Sequence, residues 1–469
     1  MRRRLAAAEA RCQALEEQVR ATGELLEQAR EKVRAAKHKR IEADHYRSLL
    51  HGLRSRWYLR PFIPGSKLQP PTSDLADCWL YRGPRFDPPS SASGAGRRRQ
   101  RVLIVGHLLS TLLFGSEKSL LEIIAAIDAD KFDVFAVFPE RNDQIFASLQ
   151  PQVQGIAVLD YSWWRKDRPF REKTVSMFEK IYRQMAIDLV HVNTIMLSDP
   201  LVAARRAGIP GITNAREIIS LDDELAARLN AGPAEIAGRV CENATYLLAN
   251  SATTLAEFPC DDHGGFLYNS VDDRTLDLPN SVDRTSIKVG MISSNIQKKG
   301  VLDFFELARM AEEASLALQF HLIGPETSLV RGWRIGRGEL PPNIQIHGYV
   351  SPPAAAYRDL NIVINLSRFA ESFGRTVAEA MVARRPVVAY RHGALPELID
   401  DSETGFLVPY LDLPAVLDRL RFFVEQPAKI AEFGDAARQR SLRRFSREVF
   451  ADRINALYER LIAEGRQAK

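Results

Sequence analysis

Long apolar runs are missing from this sequence. None of its 469 residues falls in a run of roughly eighteen consecutive apolar residues, so no membrane-spanning helix is expected. Cysteine is scarce. The four present (Cys12, Cys78, Cys241 and Cys260) show neither metal-ligand spacing nor the density of a disulfide-stapled fold. A reducing, cytoplasmic setting is therefore expected. The opening stretch MRRRLAAAEARCQALEEQV is basic, but Glu and Arg interrupt its apolar positions, so it does not read as a signal peptide. No GxGxxG turn follows a strand, which counts against a dinucleotide-dependent dehydrogenase. No solenoid-length repeat occurs. The basic residues near the start lack interleaved aromatics before Trp57, apart from Tyr46, so no nucleic-acid partner is expected.

What is present is a chain of soluble, globular composition, 45% hydrophobic and 26% charged. Its net charge of +5 is uneven. Residues 1–60 hold 15 Lys/Arg against 8 Asp/Glu, or +7, which leaves −2 for the remainder. This basic arm is a candidate for peripheral contact with an anionic membrane surface. Along it, Leu5, Ala8, Cys12, Leu15, Val19, Thr22, Leu26, Ala29, Val33 and Ala36 alternate spacings of three and four. That pattern predicts a coiled coil over residues 5–36, able to join copies of the chain or to hold an assembly partner. Residues 61–100, ending in PSSASGAG, read as a Pro/Ser/Gly-rich linker.

From Arg101 short apolar runs alternate with helical patterns. RVLIVG, FDVFAVFP, IDLVHVN, GIPGIT and TYLLANS read as buried strands, and GSEKSLLEIIAAI and TVSMFEKIYRQMA as helices. After DLPNSVDRTS the pattern restarts with IKVGMIS and runs through LQFHLIG, IQIHGY, NIVINLS and RPVVAY. The fold class is α/β, with two tandem doubly wound, Rossmann-like domains and a cleft between them, preceded by the helical coil. The expected boundaries are 1–60, 61–100, 101–280, 281–445 and 446–469, the last a helix crossing back to the N-terminal domain.

The most informative stretch is ESFGRTVAEAM, Glu371 to Met381. A strand, a small-residue turn and a helix start together make an anion site, because free N–H groups and the helix dipole face the loop. Glu371 and Glu379, eight positions apart, could grip hydroxyls on either side of a bound phosphate. YSWWRKDRPFR, Tyr161 to Arg171, pairs aromatics with basic residues and is a candidate for meeting a lipid-linked acceptor or a membrane interface.

The tandem domains and the Glu-x7-Glu pair resemble the GT-B glycosyltransferases, and within them family 4 of the retaining enzymes, over about residues 101–465. The resemblance implies Glu371 near the donor sugar and Lys299, in IQKKGVLDF, against the donor diphosphate. Arg216, in NAREI, falls where many relatives carry a residue contacting the sugar. Glu379 would bind the ribose hydroxyls, and Phe373, Gly374, Arg375 and Thr376 would offer backbone N–H groups. Gly324 and Gly348 match turns on the base side, while Gly393 and Glu397 match a turn and the following helix start. Gly115 and Ser116 stand where the family has a glycine-rich loop. Ser293 replaces a frequent family arginine, with Arg375 a candidate to compensate. His107, His191 and Asn193 are expected at strand ends facing the cleft.

The implied activity is metal-independent transfer, with retention, from a nucleotide-diphosphate sugar to a glycan or lipid-linked acceptor in bacterial cell-surface polysaccharide synthesis. The nucleotide sugar is a substrate, and no cofactor is implied. The place would be the cytoplasm, with a candidate location at the inner face of the membrane. The alternatives are an inactive GT-B scaffold serving a coiled-coil assembly, and a sugar-nucleotide epimerase, which needs no Glu-x7-Glu pair.

Overall fold

The computed structural model describes residues 78–88, 98–107, 115–260, 262–280, 286–336 and 341–467, all within the unit that begins at Leu75. The predicted coil over 5–36 and most of the predicted linker lie outside the described residues.

The first sheet contains β1 (Trp79–Arg82), β2 (Gln100–Val105), β3 (Phe132–Phe138), β4 (Gly155–Val158), β5 (Leu189–Val192), β6 (Gly211–Ala215), β7 (Tyr246–Ala249) and β8 (Gly264–Phe266). Their order is β1-β4-β3-β2-β5-β6-β7-β8, parallel except for β1, which runs antiparallel to β4. Strand alternation explains why both faces are covered. Val102 and Ile104 of β2 enter one core with helices Gly115–Ala126 and Arg447–Gln467. Leu103 and Val105 enter another, with helices Glu172–Gln184 and Asp199–Arg206.

The second sheet has β9 (Ile287–Ile292), β10 (Leu318–Ile323), β11 (Ile344–Ile346), β12 (Ile362–Asn365), β13 (Val387–Tyr390) and β14 (Gly405–Val408). It is wholly parallel, in the order β11-β10-β9-β12-β13-β14. One face packs on helices Val301–Glu313 and Leu413–Glu425, the other on Arg375–Val382 and Ala428–Phe445. These are the two doubly wound, Rossmann-like domains expected from the alternating pattern. The last helix, Arg447–Gln467, returns to the first sheet. Phe450, Ile454, Tyr458, Leu461 and Ile462 are buried there, and Asn455 donates to the Ala126 carbonyl at 2.8 Å.

Three readings need correction. The linker expected to run to residue 100 already contains β1. Trp79 packs edge-on against Phe86 and Phe135, and the buried Arg101 guanidinium donates to the carbonyls of Arg85, Phe86 and Asp87. The cysteines also include a bonded pair: Cys241, in helix Pro233–Asn243, forms a disulfide with Cys260. A residue count could not see this, because the pair is brought together only by the chain's return into β8. The His263 imidazole lies in the same cluster, its ligand atom within 4.8 Å of both sulfurs. Finally, most of the aromatic surface expected over Tyr161–Arg171 is interior. Tyr161 and Trp164 are buried, Tyr161 donating to the Gly106 carbonyl and Trp164 to that of Ile195. Phe170 remains exposed, beneath the Arg206 guanidinium.

Candidate active site

The site on the second domain is assembled by glycines that let backbone segments touch. Gly300 has φ +76°, and a Cβ there would lie 1.9 Å from the Leu366 carbonyl oxygen. That close approach seats the Gln297–Lys299 turn on the end of β12, where the N–H groups of Arg368 and Phe369 donate to the Lys298 carbonyl. Lys299 Nζ then meets Glu371 Oε1 at 2.6 Å, with the side chains 25% and 16% exposed. Gly393, φ +57°, stands where a Cβ would be 2.5 Å from the Glu371 carbonyl oxygen, and Ala394 N–H donates to that carbonyl at 2.8 Å. Glu371 is thus held from both sides.

Gly374, φ +83°, opens helix Arg375–Val382 without a side-chain cap. The first N–H groups of this helix have no intrahelical partner, and its dipole favours an anion there. Glu379 lies further along it, 7% exposed, accepting a 2.8 Å hydrogen bond from the Tyr357 hydroxyl. Burial, and then the Glu379 carboxylate, push the Tyr357 phenol well above its usual range, so it stays a donor. Arg375 Nη1 stands 4.0 Å from Glu379. The Arg375 guanidinium itself grips Glu122 of the first domain at 2.8 and 2.6 Å. The side chain that was the candidate to compensate for Ser293 is thus engaged with the first domain in this structure. Ser293 is tied to Asn295, and Gly324, φ +141°, has room for no Cβ beside the Ser293 carbonyl. Thr376 follows Arg375 in the first helical turn, and its carbonyl accepts from Tyr357 at 3.2 Å. Phe373 is buried, its ring against Tyr268 and Phe445, so its side chain is committed to packing.

On the first domain, His107 follows β2 and Gly115 opens helix Gly115–Ala126. The Ser116 side chain and Phe114 lie outside the described residues. Arg216 Nη2 donates to the Asn193 carbonyl at 2.7 Å, and its own N–H donates to Glu217 at 3.0 Å. Burial lowers the Arg216 pKa and raises that of Glu217. Burial, with the Arg216 charge adding to it, pushes His107 down to about 4, so it is neutral at physiological pH. His191 departs from expectation. It is fully buried within β5, with Nδ1 2.6 Å from the Tyr458 hydroxyl on the returning helix, and so serves the core rather than the cleft.

Sequence reasoning missed the partners that carry no local pattern: Tyr357 against Glu379, Glu122 against Arg375, and the second role of Glu397. The Glu397 carboxylate accepts from Ala252 N–H, Thr253 N–H and the Tyr268 hydroxyl, and so caps a short helix, Ala252–Leu255, of the other domain. Glu397 stands in the first turn of its own helix, which was the only signal available.

Residues 284–426 match the family model described as Glycosyl transferases group 1. The poly(ribitol-phosphate) alpha-N-acetylglucosaminyltransferase of Staphylococcus aureus is 27% identical over 168 residues, 35% of this chain and 34% of that protein. The chain therefore spans about a third of that relative's length. The MMP alpha-(1->4)-mannosyltransferase of Mycolicibacterium hassiacum is 27% identical over 308 residues, 60% of this chain and 72% of its own. Among solved structures, Anabaena Alr3699/HepE in complex with UDP superposes with a TM-score of 0.63 at 18% identity, covering 78% of this chain and all of that one. Residues 284–426 are thus a glycosyl transferases group 1 domain within a two-sheet α/β molecule of GT-B architecture.

Proposed function

We propose that the protein is a retaining family 4 glycosyltransferase. It would move a sugar from a nucleotide diphosphate to a glycan or lipid-linked acceptor in bacterial cell-surface polysaccharide synthesis. The observation that carries this reading is the Lys299–Glu371 pair, 2.6 Å apart, set beside the uncapped start of helix Arg375–Val382. A diphosphate placed there meets a fixed cation and free N–H groups without a metal. Both stabilise the charge that grows on the leaving group as the glycosidic bond breaks. Glu371 then holds the donor sugar, and Glu379, oriented by Tyr357, accepts from the ribose hydroxyls. Arg216 and the turn at Gly115 and Ser116 face the sugar from the first domain, and Gly324 and Gly393 shape the two ends of the donor groove. On the retaining route, the donor phosphate oxygen takes the proton of the acceptor hydroxyl on the face where the new bond forms. Closure of the cleft keeps water away.

UDP is the first nucleotide to test, because Alr3699/HepE is described in complex with UDP and with UDP-glucose. Residues 5–36 would join copies of the chain or an assembly partner, and the basic arm would bring the enzyme to the inner face of the cytoplasmic membrane. The test is a metal-free thermal-shift screen against UDP, GDP, CDP and dTDP sugars. A ligand that binds only the folded state raises its melting temperature. A selective rise that disappears in Glu379→Ala supports the donor site. No shift with any nucleotide, in folded protein, favours the scaffold alternative.

A further inference from the structure

Three residues of the donor loop reach out of the second domain. Asn250 Nδ2 donates to Ser372 Oγ at 3.0 Å, and Thr254 Oγ1 to the Ser372 carbonyl at 3.3 Å. The Phe373 ring packs with Tyr268 and Phe445, at 6.1 and 5.8 Å between centroids, where the two chain segments linking the domains meet. Arg375 makes the most connected contact. Its guanidinium takes both oxygens of Glu122, and Nη2 also donates to Ser119 Oγ at 3.1 Å. Ser119 Oγ in turn donates to the Gly115 carbonyl at 2.8 Å. The Arg375 and Glu122 side chains are 13% and 20% exposed, so water competes little for this pair.

A continuous path of hydrogen bonds therefore runs from the first residue of the donor helix to Gly115, the first residue of helix Gly115–Ala126. We infer that Arg375 is a positioning residue: through Glu122 and Ser119 it fixes the first turn of helix Gly115–Ala126 against the donor loop. The planar, two-pronged guanidinium is suited to this task, because it holds the carboxylate in one orientation while a third N–H engages the hydroxyl. The role of that turn in transfer rests on the reading under Proposed function, whereas the clasp itself does not.

Hydrogen exchange on the whole protein separates the two. Without ligand, Glu122→Ala should speed exchange of amides in residues 115–126 at least tenfold, and the paired exchange of charges, Glu122→Arg with Arg375→Glu, should restore most of the protection. Ser119→Ala, a milder change, should loosen only the first turn, residues 115–118. Unchanged exchange in both Glu122→Ala and Ser119→Ala overturns the inference, whether or not a nucleotide binds. With UDP as probe, wild-type protein should gain protection in 115–126. Glu122→Ala should bind UDP within about threefold of wild type yet lose that gain. A gain preserved in Glu122→Ala overturns the inference too. UDP, GDP, CDP and dTDP all failing to bind wild type would defeat the functional reading alone, leaving the ligand-free comparison to decide the clasp.

Discussion

Lys299 and Glu371 form a partly exposed ion pair, which contributes little to stability, so on the proposed reading its value lies in the transfer step. Lys299→Ala should therefore unfold at nearly the wild-type temperature yet lose about 10²–10³-fold in turnover. Turnover within a few-fold of wild type would remove Lys299 from the site. Tyr357→Phe tests the partner of Glu379. Losing one buried hydrogen bond should cost about 1–2 kcal/mol of stability and weaken nucleotide binding several-fold, read by calorimetry. The glycines offer a contrast within one site. Gly300→Ala forces a Cβ against the Leu366 carbonyl and should cost about 3 kcal/mol or more. Gly348→Ala, at a similar φ of +70° but with nothing within 4 Å, should cost only about 1 kcal/mol. Equal losses in the two variants would show that conformation, not close approach, sets the requirement. The Glu371 and Glu379 spacing could be read from the strand, turn and helix around it, whereas Lys299 was singled out only through the family resemblance. Tyr357 was not, because it is 22 residues from Glu379 and reads as one more apolar helix position.

Among the elements, the returning helix carries the clearest consequence. Phe450, Ile454, Tyr458, Leu461 and Ile462 complete a core of the first sheet. At roughly 1.5–3 kcal/mol for each large side chain buried, their removal approaches the whole stability of a typical domain. A chain ending at Ser446 should thus express as insoluble or molten protein, and native-like near-UV circular dichroism would contradict this. This helix could be read from its apolar spacing, as could the long buried strands β2, β3, β9 and β10. Length alone did not decide the rest. β5, β7, β11, β12 and β13 have only three or four residues and were still read from their apolar runs, whereas β4, β8 and β14 were not, and β1 is held by distant aromatics and by Arg101 rather than by any local signal. The same reasoning applies to the Cys241–Cys260 pair, which only tertiary structure brings together.

Across the whole molecule, acid should act through buried imidazoles. Burial pushes His107, His191 and His321 down to about 4, 3 and 4, against 6.5 when unfolded. Between those values the unfolded chain binds more protons. Stability from this source is thus intact above about pH 6.5 and is lost as pH falls toward the folded values. Melting temperature should decline from pH 6.5 downward, with a shallower decline in His191→Gln; an identical slope would exclude His191 as a contributor. The two-domain architecture was visible in the restart of the strand pattern at Ile287, but the residues that join the domains were not, because Glu122 and Arg375 are 253 positions apart. The chain leaves the first sheet after β8, builds the entire second sheet, and comes back only with Arg447–Gln467. The second domain is therefore an insertion within the first. During synthesis, which runs from the N-terminus, the earlier sheet must wait with one apolar face only partly covered until every strand of the later domain has been made. In this protein the domain that begins first is finished last, and a stalled ribosome anywhere in residues 287–446 leaves an aggregation-prone half rather than a working one.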